Sequence, residues 1–126
     1  MKYVPKLDKE TMCPVEHGLE IFGGKWKSRI ICVLSAKSSM RYNEIKKELN
    51  NISDAVLASM LRELVEDNII IREQYNEIPP RVEYSLSEIG KSSLPILQSI
   101  CAWSKIHRKK ELHNILSTCK NCPQLS

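Results

Sequence analysis

Long apolar runs are missing from this sequence. Nowhere in its 126 residues does an apolar stretch approach the roughly 18 residues of a membrane span, so no membrane partner is expected. The opening segment "MKYVPKLDKETMCP" lacks the apolar core of a signal peptide, and a cytoplasmic location is expected. Aromatic residues make up only 6% of the chain, too few for a sheet that reads single strands by base stacking. No P-loop, dinucleotide-binding glycine fingerprint, HExxH helix or G-x-S-x-G elbow occurs. The expectation is a protein that is not an enzyme and holds neither cofactor nor metal. Repeats and low-complexity tracts are absent as well. The five cysteines are an odd number, which does not suit a disulfide framework.

What is present fits one globular domain. The chain is 42% hydrophobic and 27% charged, and long enough to bury a core without cross-links. Nineteen basic residues stand against fifteen acidic ones, a net charge of +4. That tilt permits a polyanionic partner without demanding one.

Residues 1–13 read as a polar N-terminal arm. Pro14 suits a helical first turn, and Gly23-Gly24 ends that helix after Phe22. "KWKSRIICVLSA" is a second helix, with Trp26, Ile30, Val33 and Leu34 at helical spacing. "SSMRY" is a short extended piece. "NEIKKELN" is a third helix, with Asn43 as its expected N-cap. Ser53 caps a fourth helix, residues 53–66, whose buried stripe is Leu57, Leu61, Leu64 and Val65. Strands follow at Ile69–Tyr75 and Arg81–Leu86. A long helix capped by Ser87 runs to Arg108 with a kink at Pro95, and a last helix covers Lys110–Ser117.

The strands are joined by Asn76-Glu77-Ile78-Pro79-Pro80, a link without the glycine of a tight hairpin. Two prolines stiffen it toward an extended conformation. Helices three and four are separated only by "NNI", a helix-turn-helix connection, and a hairpin directly after it is a wing. The fold class is therefore mainly α, within α+β: a winged helix-turn-helix with a two-stranded wing and a C-terminal dimerisation helix.

The segments "CPVEHGLEIF", "GGKWKSRIICVL", "MRYNEIKKEL", "ISDAVLASMLRELVEDNIIIREQY" and "PPRVEYSLSEIGKSSLPIL" follow one another in order. Together they resemble the HxlR-type regulators, relatives of the MarR family. The resemblance places the winged domain at residues 14–108 and leaves 109–126 as a C-terminal helix and tail. It implies a homodimer that binds palindromic double-stranded DNA. It also implies that a cysteine just before the first-helix proline, here Cys13, can sense oxidants or electrophiles.

The outward residues of helix four are Ser53, Asp54, Ala55, Ala58 and Ser59. In a major groove, the alanines can touch thymine methyls and Ser59 can hydrogen-bond to several bases. Members of the resembled family often carry longer polar side chains at Ala55 and Ser59, so DNA shape is expected to contribute more here. Asp54 would repel phosphates and is read as support for the helix N-terminus. Arg62 either reaches a phosphate or pairs with Glu66 at i+4. Arg81, at the wing, is expected on the DNA backbone or in the minor groove, against the plainer reading of a charged edge. Arg41 precedes helix three, the backbone-crossing element, and is a further phosphate contact. Leu94, Leu97, Ile100, Cys101, Trp103 and Ile106 form an apolar stripe too long for one small core, to be shared with a twofold partner.

Cys13 precedes Pro14 at a helix N-terminus, where a thiolate is favoured. Either it is the redox-sensing residue, with Cys101 a candidate disulfide partner, or it is an unreactive small residue. Cys32 lies in the apolar run "IICVL" and reads as inert core. Cys119-x-x-Cys122, with His107 and His113 nearby, reads as a zinc half-site, a thiol-redox pair or a tail with two exposed thiols. A thiol-redox enzyme at that pair, and a winged-helix module that binds protein, are the alternatives to a regulator. The effector, a small molecule or an oxidant, is not specified by these residues.

Overall fold

The structure, a computed structural model, describes Thr11 and residues 13–107. The arm is thus outside the described residues except for Thr11 and Cys13, and so are the helix expected at Lys110–Ser117 and the 109–126 tail. The elements are α1 (Pro14–Phe22), α2 (Lys27–Ser35), α3 (Tyr42–Leu49), α4 (Asp54–Glu66), β1 (Ile70–Tyr75), β2 (Arg81–Leu86), α5 (Glu88–Ser92) and α6 (Leu94–His107). Among the described residues no helix is long and apolar enough to cross a membrane.

The core is built where the helical periods converge. Ile30, Ile31 and Leu34 of α2 meet Ile45 and Leu49 of α3 and Leu57, Leu61 and Leu64 of α4. Met40 and Ile52, from the connections, complete it. Met40 also pairs with Tyr84 of β2 through backbone bonds of 2.9 and 2.8 Å. The extended piece before α3 is thereby laid against the hairpin.

The helix-turn-helix joint is made by Asn50 and Asn51, both at φ 54°. Asparagine tolerates this positive φ better than most side chains. Ser53 then caps α4, its Oγ accepting the Val56 N–H at 3.2 Å. α3 does not start at Asn43: its N-cap is Arg41, whose backbone N–H donates to Glu44 Oε1 at 3.0 Å. Arginine cannot accept a helix N–H, so the carboxylate one turn inside supplies the capping contact.

β1 and β2 pair antiparallel from Ile70↔Leu86 to Tyr75↔Arg81. β1 begins at Ile70, one residue later than expected, and the Ile69 carbonyl accepts from the Ser87 N–H at 3.0 Å, in register with the ladder at the entry to α5. The wing link is not extended throughout: it bends at Ile78 and Pro79, whose peptide bond is cis.

The expected long helix is two helices. Pro95 has no N–H to continue an intact helix, so the chain breaks at Ser93 and Pro95 falls in the first turn of α6. Ser93, buried at the break, donates its hydroxyl to the Gly90 carbonyl at 2.6 Å. Gly90 is a contact that only glycine permits, since a Cβ there would lie 2.1 Å from the Ile69 carbonyl oxygen.

Candidate nucleic-acid interface

α4 buries Leu57, Leu61 and Leu64 and turns the opposite face outward. Ser53, Ala55, Ala58 and Arg62 are exposed, and Ser59 is half-buried. Helical geometry places Ala55, Ser59, Arg62 and Glu66 along one side. The i+4 pair of Arg62 with Glu66 is not formed. Arg62 and Glu66 both line a cleft of about 330 Å³ between α4 and the hairpin, together with Arg72, Tyr42 and Tyr84.

Asp54 is not a bare anion on this face. Lys46 Nζ lies 2.8 Å from its Oδ1, and the Tyr42 hydroxyl donates to the same oxygen at 2.9 Å and to the Asp54 carbonyl at 3.2 Å. The Lys46 contact, followed by the Tyr42 bond, holds the Asp54 carboxyl below its ordinary range. Partial burial, then the bond to Asp54, pushes the Tyr42 phenol up. The three side chains clamp α3 to the start of α4. Sequence spacing gave no sign of this, because Tyr42 and Asp54 are twelve residues apart. Beside the clamp a concavity of about 360 Å³ is lined by Asn43, Lys46, Lys47, Asn50 and Asn51, all donors suited to a phosphate. Arg41, at the N-cap of α3, is exposed.

Arg81 occupies different surroundings from those expected. Its Nη2 lies 3.0 Å from Glu77 and its Nη1 2.9 Å from Glu83, and the guanidinium stacks over Tyr75 at 4.0 Å from the ring centroid. Ser39 donates to the other Glu83 oxygen at 2.9 Å. The two carboxylates offset the charge of Arg81, which braces the base of the wing. The apolar tip residue Ile78 is fully exposed.

The apolar stripe of α6 divides. Leu97 is buried and Leu94 packs against the core of its own chain, with Cys101 half-buried on the same side. Ile100, Trp103 and Ile106 are exposed, with Trp103 at 60%, and Ile96 joins them. Leu97 and, in part, Leu94 pack within their own chain, and Ile96, not singled out from the sequence, is exposed. A pattern of apolar residues on all sides of a helix does not reveal which side the core takes. On α1, Val15 and Leu19 are exposed as well.

Cys13 is exposed at the N-cap of α1, where it makes no side-chain capping bond. The His17 N–H donates to the Cys13 carbonyl at 3.2 Å, a helical bond that leaves the thiol out. Cys32 is half-buried rather than buried and packs against the core. The His107 ring lies 4.8 Å from that of Trp103. His113, Cys119 and Cys122 are outside the described residues, and among the described residues no cluster of three metal-ligating side chains occurs.

The family model of HxlR-like helix-turn-helix proteins matches residues 21–112. The chain belongs to the HxlR-like family. An uncharacterized HTH-type transcriptional regulator of Methanothermobacter thermautotrophicus is 44% identical over 100 residues, spanning 79% of this chain and 76% of that protein. The HTH-type regulator YtcD of Bacillus subtilis is 46% identical over 99 residues, spanning 79% of this chain and 78% of that protein. The YtcD crystal structure superposes with a TM-score of 0.74 at 43% identity, over 78% of this chain and 99% of that one. The redox regulator HypR in its oxidized form superposes with a TM-score of 0.69 at 39% identity, over 74% of this chain and 95% of that one. This HxlR-like chain is a winged helix-turn-helix transcriptional regulator, a DNA-binding protein rather than an enzyme.

Proposed function

We propose that the protein is a homodimeric, sequence-specific regulator that inserts α4 into the major groove of a palindromic operator. The observation that carries this reading is the outward face of α4, whose side chains hold up no part of the core and whose Arg62 has no ion-pair partner among the described residues. Ser53, Ala55, Ala58 and Ser59 face the bases. Arg62, Arg41 and Lys47 face phosphates, while Lys46 is taken up by Asp54. Arg81 shapes the wing, and its offset charge adds little to phosphate binding.

Ile96, Ile100, Trp103 and Ile106 of α6, with Val15 and Leu19 of α1, supply an exposed apolar surface for the second copy. Two copies read half-sites about one helical turn apart. Cys13 is the proposed thiol switch, supported by its exposure at the start of α1 and by the likeness to a protein described as a redox regulator. Oxidation there alters the spacing of the two α4 helices.

The test is fluorescence anisotropy of the reduced protein on DNA upstream of its own gene and on sequences selected from a random pool, repeated after mild thiol oxidation. Tight, sequence-dependent binding that oxidation changes, with the change abolished in Cys13→Ser, is the expected result. Binding that ignores oxidation removes the thiol switch and leaves the regulator. Failure to select any sequence overturns the sequence-specific reading.

A further inference from the structure

Lys27 is the one buried charged side chain among the described residues, 8% exposed. It opens α2, and its Nζ reaches Glu63 Oε1 of α4 at 3.2 Å, across 36 residues of sequence. A buried ammonium left without its counter-ion is costly, so Glu63 is held toward it. The second oxygen of Glu63, Oε2, lies 3.4 Å from Ser59 Oγ, one turn earlier on the same helix. A carboxylate only accepts, so the single proton of the Ser59 hydroxyl points along the helix to Glu63, whose side chain is 43% exposed. Its lone pairs remain for whatever lies outside. Ser59 stands between Ala55 and Arg62 on the outward face.

Base edges in the major groove differ in what they offer. The amino groups of adenine N6 and cytosine N4 donate, whereas guanine O6 and N7, adenine N7 and thymine O4 accept, so cytosine is the base that offers a donor alone. A freely rotating serine hydroxyl would take either kind. We propose that Lys27 and Glu63 fix Ser59 as a hydrogen-bond acceptor, so that α4 selects an adenine or a cytosine at one position of each half-site. Lys27 is a positioning residue here, acting on the DNA only through Glu63 and Ser59. The inference rests on the docking of α4 in the major groove. At 3.4 Å the Ser59 bond is long, so it biases the hydroxyl, and the discrimination it supports is modest, roughly two- to tenfold.

Selection from a random DNA pool with the full chain tests this, followed by competition binding with single-base variants of the selected site. Ser59→Ala is expected to erase an adenine-or-cytosine preference at one position per half-site. Glu63→Gln, whose amide can donate to Ser59 and free its proton, and Lys27→Met are expected to lower that preference roughly two- to tenfold while other positions stay intact. Lys27→Arg is expected to restore it, which a purely structural role would not require. Thermal melting confirms that each variant is folded, and the near-isosteric Glu63→Gln keeps the test open if Lys27→Met is not. A guanine or thymine preference at the Ser59 position overturns the inference. So does an unchanged preference in Glu63→Gln, or a Ser59→Ala variant that erases none. Ala55→Arg separates the two levels: if it leaves both the selected sequence and the affinity unaltered, the docking of α4 fails, and if it changes them the docking stands whatever Glu63→Gln does.

Discussion

Arg62 is exposed and lines the cleft between α4 and the hairpin, whereas the guanidinium of Arg81 is clasped by Glu77 and Glu83. Equal formal charges therefore have unequal value to a phosphate. Arg62→Ala is expected to reduce the slope of log affinity against log salt by about one, and Arg81→Ala to leave it nearly unchanged. Binding titrations across roughly 50 to 200 mM salt distinguish them. Equal losses of slope would return Arg81 to the phosphate-contacting set. Asp54 carries a second prediction. Its carboxyl is held below its ordinary value of 3.8, first by Lys46 and then by Tyr42. A carboxyl depressed in the folded state contributes stability that is present above the ordinary value and lost as pH falls through the lower folded one. Glu44 behaves alike, held below 4.5 chiefly by the Arg41 N–H, with Lys37 assisting. Acid titration below the ordinary carboxylate range should thus loosen the joint between α3 and α4. Asp54→Asn should flatten part of that acid dependence in pH-resolved melting, and an unaltered profile would show that the clamp does not contribute.

The elements themselves divide into those with one face and those with two. α3 and α4 each alternate apolar and polar residues at helical period, so the extent of α4 and the buried residues Ile45, Leu49, Leu57, Leu61 and Leu64 could be read from the sequence, though not the start of α3 nor the half-burial of Val65. The hairpin could be read too, from its β-rich runs on either side of a breaker. α6 could not, because it is apolar on both sides, and only the position of α2 decides that Leu94 and Leu97 turn inward. The break at Ser93 was half visible in Pro95, which announces a fault without saying whether the helix bends or stops. Long-range side-chain bonds such as Tyr42 to Asp54 and Lys27 to Glu63 leave no periodic mark at all. Gly90 marks where α5 is pressed against the end of α4 and the start of β1. Gly90→Ala would place a methyl 2.1 Å from the Ile69 carbonyl oxygen, and the backbone must move to admit it. A loss of roughly 2 kcal/mol or more is expected in chemical denaturation. A loss under about 0.5 kcal/mol would mean that α5 is free to shift.

At the scale of the molecule, the proposed dimer rests on the apolar surface left on α6 and α1. A glutamate at the centre of a twofold contact meets its own copy, so Ile100→Glu and Trp103→Glu should yield monomers by light scattering and weaken operator binding together. A dimer that survives both substitutions would place the contact elsewhere. Since Ile100 and Trp103 lie outside the core of their own chain, the variants should melt as cooperatively as the parent does when diluted to monomers. The alanines of α4 give the molecule a different kind of freedom. Ala55 and Ala58 are exposed, and Ala58 lines the cleft beside Leu61 and Val65. Replacing them deletes no strut of the fold, so new side chains can be written there at little cost in stability. If α4 docks as proposed, the protein is in that sense a chassis with two blank keys, on which altered operator vocabularies can be installed while the frame that carries them stays as it is.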